Sequence, residues 1–247
     1  MRATTVAGVS ASLPDGVRAV LFDLDGVLTP TADVHMRAWE RLFTPVLAAH
    51  GDKVPYTDAD YFAHVDGKPR YDGVRDLLAS RGVTVPEGTA DDPPDAETVG
   101  GLGNRKNVIF SEILRNEGVQ AYPGSMAMLD RLEERGTAMA VVSSSRNAPR
   151  VLAAAGLADR FDVVVDGAVA GELGLPGKPA PDTFLHAAER LGAPIDACVV
   201  IEDAVSGVRA GRAGGFAFVI GVDRGAGEGP LRDAGADLVV RDLDELT

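Results

Sequence analysis

The amino-acid sequence predicts an α/β protein, a doubly wound parallel sheet with an inserted helical domain. Short apolar runs recur along the chain and are continuous rather than alternating, which is typical of strands covered on both faces. Segments with helical periodicity separate these runs. One long stretch near the N-terminus has helical periodicity without convincing strands, and this stretch predicts the inserted domain.

The sheet is predicted from six apolar runs. The stronger runs are 18–24, 138–142, 161–165 and 198–201, and the weaker ones are 216–220 and 236–240. Helical patterns lie between them at 126–135, 149–155, 181–191 and 205–213. Each of these patterns stops at a glycine, the residue that most often ends a helix. Strands that alternate with helices of this length indicate a parallel sheet.

The inserted stretch follows the first predicted strand. Its helical patterns are 34–47, 56–65, 71–80 and 104–116, and an acidic, proline-containing segment at 88–97 predicts a surface loop. We therefore divide the chain into a core domain, residues 1–30 plus 118–247, and a helical domain, residues 31–117.

Composition excludes several classes of partner. The chain of 247 residues has 24 basic and 37 acidic side chains, a net charge of −13, which is unsuited to nucleic acid or an anionic membrane. The one cysteine, Cys198, lies in an apolar run and is predicted to be a buried thiol, so an intrachain disulfide is excluded. We find no membrane-spanning run and no signal peptide, only a loose polar leader, and expect a cytoplasmic protein.

Polar residues follow the predicted strands where each strand ends. Asp23 and Asp25 end the first run, directly before Gly26. The other polar groups are Ser143, Ser144, Ser145, Arg146 and Asn147 after the second run, Lys178 ahead of a helix, and Glu202 and Asp203 after the fourth stronger run. Because open parallel sheets bind ligands beyond the carboxyl ends of their strands, we expect these groups to share one site.

This combination of residues favours phosphoryl transfer. Several carboxylates at one spot need a cation, and Mg²⁺ prefers oxygen ligands and phosphate. A lysine and a serine hydroxyl can hold phosphate oxygens, one aspartate can attack phosphorus, and a second can move a proton. Each feature alone has a structural explanation, such as a turn, a helix cap or a surface charge. Their order at successive strand ends favours the catalytic interpretation.

The same motifs resemble the haloacid dehalogenase superfamily of phosphotransferases over residues 18–246. The segment D-L-D-G-V-L-T at 23–29 resembles its first motif, Ser143 the second, Lys178 the third, and Glu202 with Asp203 the fourth. The resemblance implies a Rossmann-like core, and it identifies the helical insert as a cap that closes over the site.

Within that superfamily the chain is similar to the β-phosphoglucomutase-like subgroup. The segments that carry this similarity are T-A-x-x-H-x-x-A-W at 31–39, Arg70 after a Gly-Lys-Pro, R-K-N at 105–107, S-x-S-x-N at 143–147 and K-P-A-P-D at 178–182. Two features depart from the subgroup: a longer cap segment at 83–103, and Pro69 before Arg70.

The resemblance implies a role for each matching residue. Asp23 would be the nucleophile and Asp25 the general acid and base. Ser143 and Lys178 would bind the transferring phosphoryl group. The implied Mg²⁺ ligands are Asp23, the Asp25 carbonyl, Glu202 and Asp203. The implied substrate-binding residues are His35, Arg70, Lys106, Ser145 and Asn147, and His35 would also couple cap closure to Asp25.

We therefore expect a β-phosphoglucomutase activity, which converts β-glucose 1-phosphate to glucose 6-phosphate. A mutase needs basic groups at both ends of a bisphosphorylated sugar, and Arg70 with the Arg105–Lys106 pair could serve the end remote from Lys178. The alternative is a sugar-phosphate phosphatase, which needs only the Lys178 end. A non-catalytic module fits less well because Asp23, Asp25, Lys178 and Asp203 are all present, and a dehalogenase because it does not need Asp25. A phosphonatase would need a Schiff-base lysine in the cap, for which Lys68 and Lys106 are available, but the resemblance to the β-phosphoglucomutase-like subgroup fits better. The expected partner is a phosphorylated sugar, and we expect a monomer.

Overall fold

The computed structural model describes residues 12–246, so most of the predicted polar leader lies outside the described residues. Its strands are β1 (Ala19–Phe22), β2 (Ala138–Val142), β3 (Val163–Val165), β4 (Cys198–Glu202), β5 (Phe218–Val222) and β6 (Leu238–Val240). They form one parallel sheet in the order β3-β2-β1-β4-β5-β6. The predicted fold class is confirmed, and β1 lies centrally, with Phe22 opposite Val141 and Ile201.

Burial on both faces explains why the strand sequences are continuously apolar. In β1, Val20 and Phe22 pack into the hydrophobic cluster on one face, and Ala19 and Leu21 pack into the cluster on the other. All four side chains are buried. Helices therefore cover the sheet on both sides, as expected for a doubly wound fold.

The described helices are α1 (Thr31–Ala49), α2 (Asp58–His64), α3 (Arg70–Ser80), α4 (Val99–Glu117), α5 (Pro123–Glu134), α6 (Ala148–Ala154), α7 (Gly167–Leu173), α8 (Asp182–Arg190), α9 (Val205–Ala213) and α10 (Glu228–Ala234). Short 3₁₀ turns occur at Ile195–Ala197 and Leu243–Glu245. The sequence interpretation omitted α7 and α10, two seven-residue helices. No helix in residues 12–246 is long and apolar enough to cross a membrane.

The inserted helices α1 to α4 share a hydrophobic cluster of their own. Trp39 stacks on Phe43 with 5.2 Å between ring centroids, and Leu77 and Leu102 pack into the same cluster. The C-terminal part of α4, from Phe110 onward, instead joins the cluster on one face of the sheet. The inserted helices are thus partly packed among themselves and partly anchored to the sheet.

Helix α4 begins five residues earlier than the predicted start at residue 104. Glycines at 100, 101 and 103 lower the helix propensity of this segment, and the sequence pattern therefore did not predict the first turn of the helix. The first two glycines allow the long acidic loop to pack on the helix, because a Cβ on Gly100 would overlap the carbonyl oxygen of Thr89, and one on Gly101 would overlap that of Ala96.

Candidate active site

A cavity of about 410 Å³ lies where the carboxyl edge of the sheet faces the inserted helices. The predicted nucleophile, metal ligands, phosphate-binding serine and substrate-binding residues all line it. Lys178 lies directly beneath it, with 3% of the residue exposed. The structure therefore brings together residues that are separated by up to most of the chain length in sequence.

A buried ion cluster forms the floor of the site. The Lys178 amine lies 2.5 Å from Asp23 Oδ1 and 2.7 Å from Glu202 Oε1, and it donates to the Val142 carbonyl at 2.9 Å. Burial raises the pKa of Asp23 well above its usual value, and the negative charges of Glu202 and Asp25 raise it further. The positive charge of Lys178 acts in the opposite direction but is outweighed. Burial opposes the charge on Lys178, but Asp23 and Glu202 outweigh it and raise the pKa of the amine. Three adjacent strands, β1, β2 and β4, thus converge on one cation.

Asp25 occupies a different environment from Asp23. The Thr31 hydroxyl donates to Asp25 Oδ1 at 2.5 Å, Ser143 donates to Oδ2 at 3.3 Å, and His35 Nε2 lies 3.4 Å from Oδ1. Burial opposes ionisation, but His35 and Thr31 lower the pKa of Asp25 to about 2. Asp23 and Asp25 therefore lie in different electrostatic environments, although they are two residues apart.

The turn after Asp25 depends on glycine. Gly26 has φ of 94°, a conformation that side chains disfavour. A Cβ there would also overlap the Asp203 carboxyl group. Gly26 therefore lets the loop after β1 approach the loop after β4, which carries Asp203.

His35 connects Asp25 to the inserted helices. Its Nδ1 lies 2.5 Å from the Lys106 amine, which lies over the rings of Trp39 and Phe110 at 4.8 and 5.0 Å. Burial lowers the pKa of Lys106 well below its usual value, and Arg70 adds to the effect. Burial and Lys106 likewise lower the pKa of His35. Helices α1 and α4 are thus linked to the predicted proton carrier through side chains.

A second basic region lies on another wall of the cavity. Arg70 begins α3, and Arg146 lies in the loop after β2. Burial lowers the pKa of Arg70, and the nearby positive charge of Arg146 lowers it further. In the same loop, Asn147 donates to Asn107 Oδ1 on α4 at 2.6 Å, and its backbone N–H donates to Ser145 Oγ at 3.2 Å.

The suggestion that Arg105 serves the substrate is wrong. Its guanidinium donates to the Pro94 carbonyl at 2.6 Å and to Glu97 at 2.9 Å, so that it holds the long acidic loop. Arg105 does not line the cavity among the described residues, whereas Lys106 and Asn107 do. Adjacent helix positions point in different directions, which the R-K-N similarity alone did not resolve.

Sequence reasoning missed two residues of the site, Thr31 and Asp66, and it gave no role to Arg146, which it expected near the strand ends. Thr31 lies within a segment that the sequence analysis had singled out, so a search of that segment for polar side chains would have found it. Asp66, between α2 and α3, carried no local signal. Burial raises the pKa of Asp66 to about 7, with a contribution from the charge of Glu202.

The carboxylates suit a divalent cation in charge and ligand type. Burial raises the pKa of Asp203 well above its usual value, and the charges of Asp66 and Glu202 add to it, so negative charge is in excess there. Glu202 Oε1 accepts from Lys178 and its Oε2 accepts from the Ala204 N–H. In this arrangement no three acidic, histidine or cysteine side chains of residues 12–246 are spaced to enclose an ion. Asp23, Glu202 and Asp203 line the cavity and have the oxygen donors that Mg²⁺ prefers.

A family model of the haloacid dehalogenase-like hydrolases matches residues 17–215. The chain belongs to this family, and it is an enzyme of the phosphotransferase and hydrolase class that the family defines. A beta-phosphoglucomutase from Mycobacterium bovis is 52% identical, over 95% of this chain and 93% of the relative. A crystal structure of beta-phosphoglucomutase from Clostridium difficile matches with a TM-score of 0.75 and 26% identity, over 94% of this chain and 93% of that one. The predicted phosphoryl transfer of the β-phosphoglucomutase type is confirmed by these relatives.

A third relative is much longer. An uncharacterized glycosyl hydrolase from Mycobacterium tuberculosis is 42% identical over 93% of this chain, and the match covers 17% of that protein. In that relative, a segment similar to most of this chain is therefore part of a larger polypeptide.

Proposed function

We propose that the protein interconverts β-glucose 1-phosphate and glucose 6-phosphate through a phosphorylated Asp23. One observation carries the proposal: a single cavity has the Asp23–Lys178 cluster on its floor and the Arg70–Arg146 pair on another wall. A sugar with two phosphate groups needs positive charge at both ends, whereas a simple phosphatase needs it at one.

The chemistry follows from the two aspartates. An Asp23 carboxylate oxygen attacks a phosphorus of glucose 1,6-bisphosphate, a new O–P bond forms, the O–P bond to the sugar breaks, and protonated Asp25 gives its proton to the leaving sugar oxygen. In the onward transfer, the ionised Asp25 accepts the proton of the incoming sugar hydroxyl, whose oxygen bonds to phosphorus as the bond between Asp23 and phosphorus breaks. Ser143 and Lys178 hold the oxygens of the transferring group.

Magnesium would be held by Asp23, the Asp25 carbonyl, Glu202 and Asp203. When bound, it supplies positive charge that offsets the crowded carboxylates and the phosphate. The substrate residues would be His35, Arg70, Lys106, Ser145 and Asn147, to which we add Arg146 because it lines the same cavity.

We further propose that residues 31–117 act as a cap domain on a core of residues 1–30 and 118–247. A closed cap keeps water from the aspartyl phosphate, which separates a mutase from a phosphatase. His35 would couple closure to Asp25. Similarity to part of an uncharacterized glycosyl hydrolase supports a place beside an enzyme that cleaves glycosidic bonds. The monomeric and cytoplasmic states stay predictions.

The test is a single reaction with Mg²⁺, β-glucose 1-phosphate and a trace of glucose 1,6-bisphosphate. Glucose 6-phosphate and free phosphate are followed in the same tube. Rapid glucose 6-phosphate with little phosphate supports the mutase, and phosphate without glucose 6-phosphate would make the protein a phosphatase. Asp23→Asn should lose both products, whereas Asp159→Asn, at an exposed site, should match the wild type.

A further inference from the structure

Residues 66–69, between α2 and α3, form a bridge from the inserted helices to the core. Ser144 donates its hydroxyl to the Gly67 carbonyl at 2.7 Å. Ser206, in the first turn of α9, donates to the Asp66 carbonyl at 3.0 Å. Ser144 directly follows Ser143, and Ser206 lies three residues after Asp203. Two core loops that carry predicted catalytic residues are thus hydrogen-bonded to one segment of the insert.

The segment is shaped for this contact. Gly67 has φ of 69°, and a Cβ there would overlap Ser206 Oγ and the Ala204 side chain. On the third core loop, a Cβ on Gly177, next to Lys178, would overlap the ring of Pro69. Glycine on each side of the contact permits an approach that no other residue allows. This packing indicates that residues 66–69 dock against the core loops in one specific position.

We propose that Ser144 and Ser206 are positioning residues that latch the inserted helices over the cavity and decide whether the phosphoryl group reaches a sugar or water. The proposal rests on the mutase function proposed above. Ser206 is 8% exposed and does not line the cavity among the described residues, so its role is through the segment it holds. Arg70 follows the segment directly, so the latch also fixes one wall of the sugar site.

The expected effect follows from the two hydrogen bonds. When the inserted helices open, water hydrates the carbonyls of Asp66 and Gly67. Each latch hydrogen bond therefore favours the closed state only by the difference in free energy between the bond within the protein and the bond to water. Loss of both bonds is expected to raise the open population about tenfold. Water then reaches the phosphorylated Asp23 more often, and free phosphate per glucose 6-phosphate formed rises by a similar factor.

The test compares Ser144→Ala/Ser206→Ala with Ser80→Ala. Ser80 is a matched control because its hydroxyl also donates to a backbone carbonyl, that of Leu77 at 2.7 Å, within the inserted helices. We measure the phosphate to glucose 6-phosphate ratio, KM and kcat for β-glucose 1-phosphate, and the radius of gyration by small-angle X-ray scattering. The double variant should raise the ratio about tenfold, raise KM more than it lowers kcat, and enlarge the radius of gyration. Ser144→Thr/Ser206→Ala, which restores one hydroxyl, should recover part of the ratio.

Failure of the latch and failure of the mutase are distinguishable. Wild-type mutase activity with an unchanged ratio and radius in the double variant would overturn the latch and leave the mutase intact. A wild type that releases phosphate only, with a larger radius in the double variant and not in Ser80→Ala, would support the latch and remove the mutase. An equal change in the double variant and in Ser80→Ala would also overturn the latch.

Discussion

Lys178 and Glu202 form an ion pair inside the protein, with 2.7 Å between Nζ and Oε1 and 1% of each side chain exposed. The same amine contacts Asp23, so that one cation serves two buried carboxylates. Removal of one partner from such a cluster leaves charge that neither water nor protein compensates. The pair therefore links the chemistry of the site to the stability of the fold.

We expect Lys178→Met to abolish turnover and to lower the free energy of unfolding by about 3–5 kcal/mol. Urea denaturation at pH 7 without Mg²⁺ measures this loss, with Lys53→Met, at an exposed position, as the control. Addition of Mg²⁺ should return part of the stability, since a cation replaces the lost charge. A loss below about 1 kcal/mol would show that the cluster tolerates an unpaired carboxylate.

The Asp66 carboxyl group predicts a pH dependence of stability. Burial and the charges of Glu202 and Asp25 raise its pKa in the folded protein to about 7, although a hydrogen bond with Tyr61 and the charge of Lys178 lower it. In the unfolded chain the pKa of an aspartate is about 3.9. Between these values the folded state keeps a proton that the unfolded state has lost, so stability falls as pH rises from about 4 to about 7.

Asp66→Asn should remove this contribution. We expect the variant without Mg²⁺ to be more stable than wild type at pH 8 by up to a few kcal/mol, at about 1.4 kcal/mol per pKa unit, and to differ little at pH 4. Urea denaturation at the two pH values measures the effect, and Asp159→Asn is the control. The interpretation is contradicted if wild type and Asp66→Asn lose the same stability over this range.

Features encoded in local patterns were predictable from the sequence. Strand β2 and helix α9 have the predicted bounds, because a continuous apolar run and a glycine stop are short-range signals. Polar residues at the strand ends converge because parallel strands share one carboxyl edge, so the placement of Asp23, Ser143 and Glu202 followed from topology.

Features that depend on contacts between distant segments were not predictable. Ser206 and Asp66 are 140 positions apart in sequence, and they meet only because the insert folds back over the sheet. Arg105 and Lys106 are adjacent, yet one holds the acidic loop and the other contacts His35. Helix α7 has no fully buried residue, and therefore no apolar period that could reveal it.

The acidic loop should be sensitive to any side chain at Gly100. An alanine Cβ would overlap the Thr89 carbonyl, and we expect Gly100→Ala to lower the free energy of unfolding by about 1–3 kcal/mol. Gly229 is the matched control, since it also occupies the second position of a helix, α10, and a Cβ there meets no described atom within 4 Å. Gly229→Ala should be neutral or stabilise by up to about 1 kcal/mol. Equal urea midpoints for the two variants would contradict the packing of the loop on α4.

The Arg70→Ala variant tests whether mutase activity depends on positive charge at the end of the substrate remote from Lys178. Arg70→Ala should reduce glucose 6-phosphate formation by about ten- to hundredfold, the range for loss of a charge-assisted hydrogen bond, and reduce phosphate release far less. Arg75→Ala is the matched control on the same helix, because Arg75 is paired with Asp72 and Glu87 on the exposed side. Both products are measured in one tube under saturating Mg²⁺. An equal loss of both activities would mean that Arg70 supports the site as a whole, and Arg146 would then be the remaining candidate for the distal phosphate.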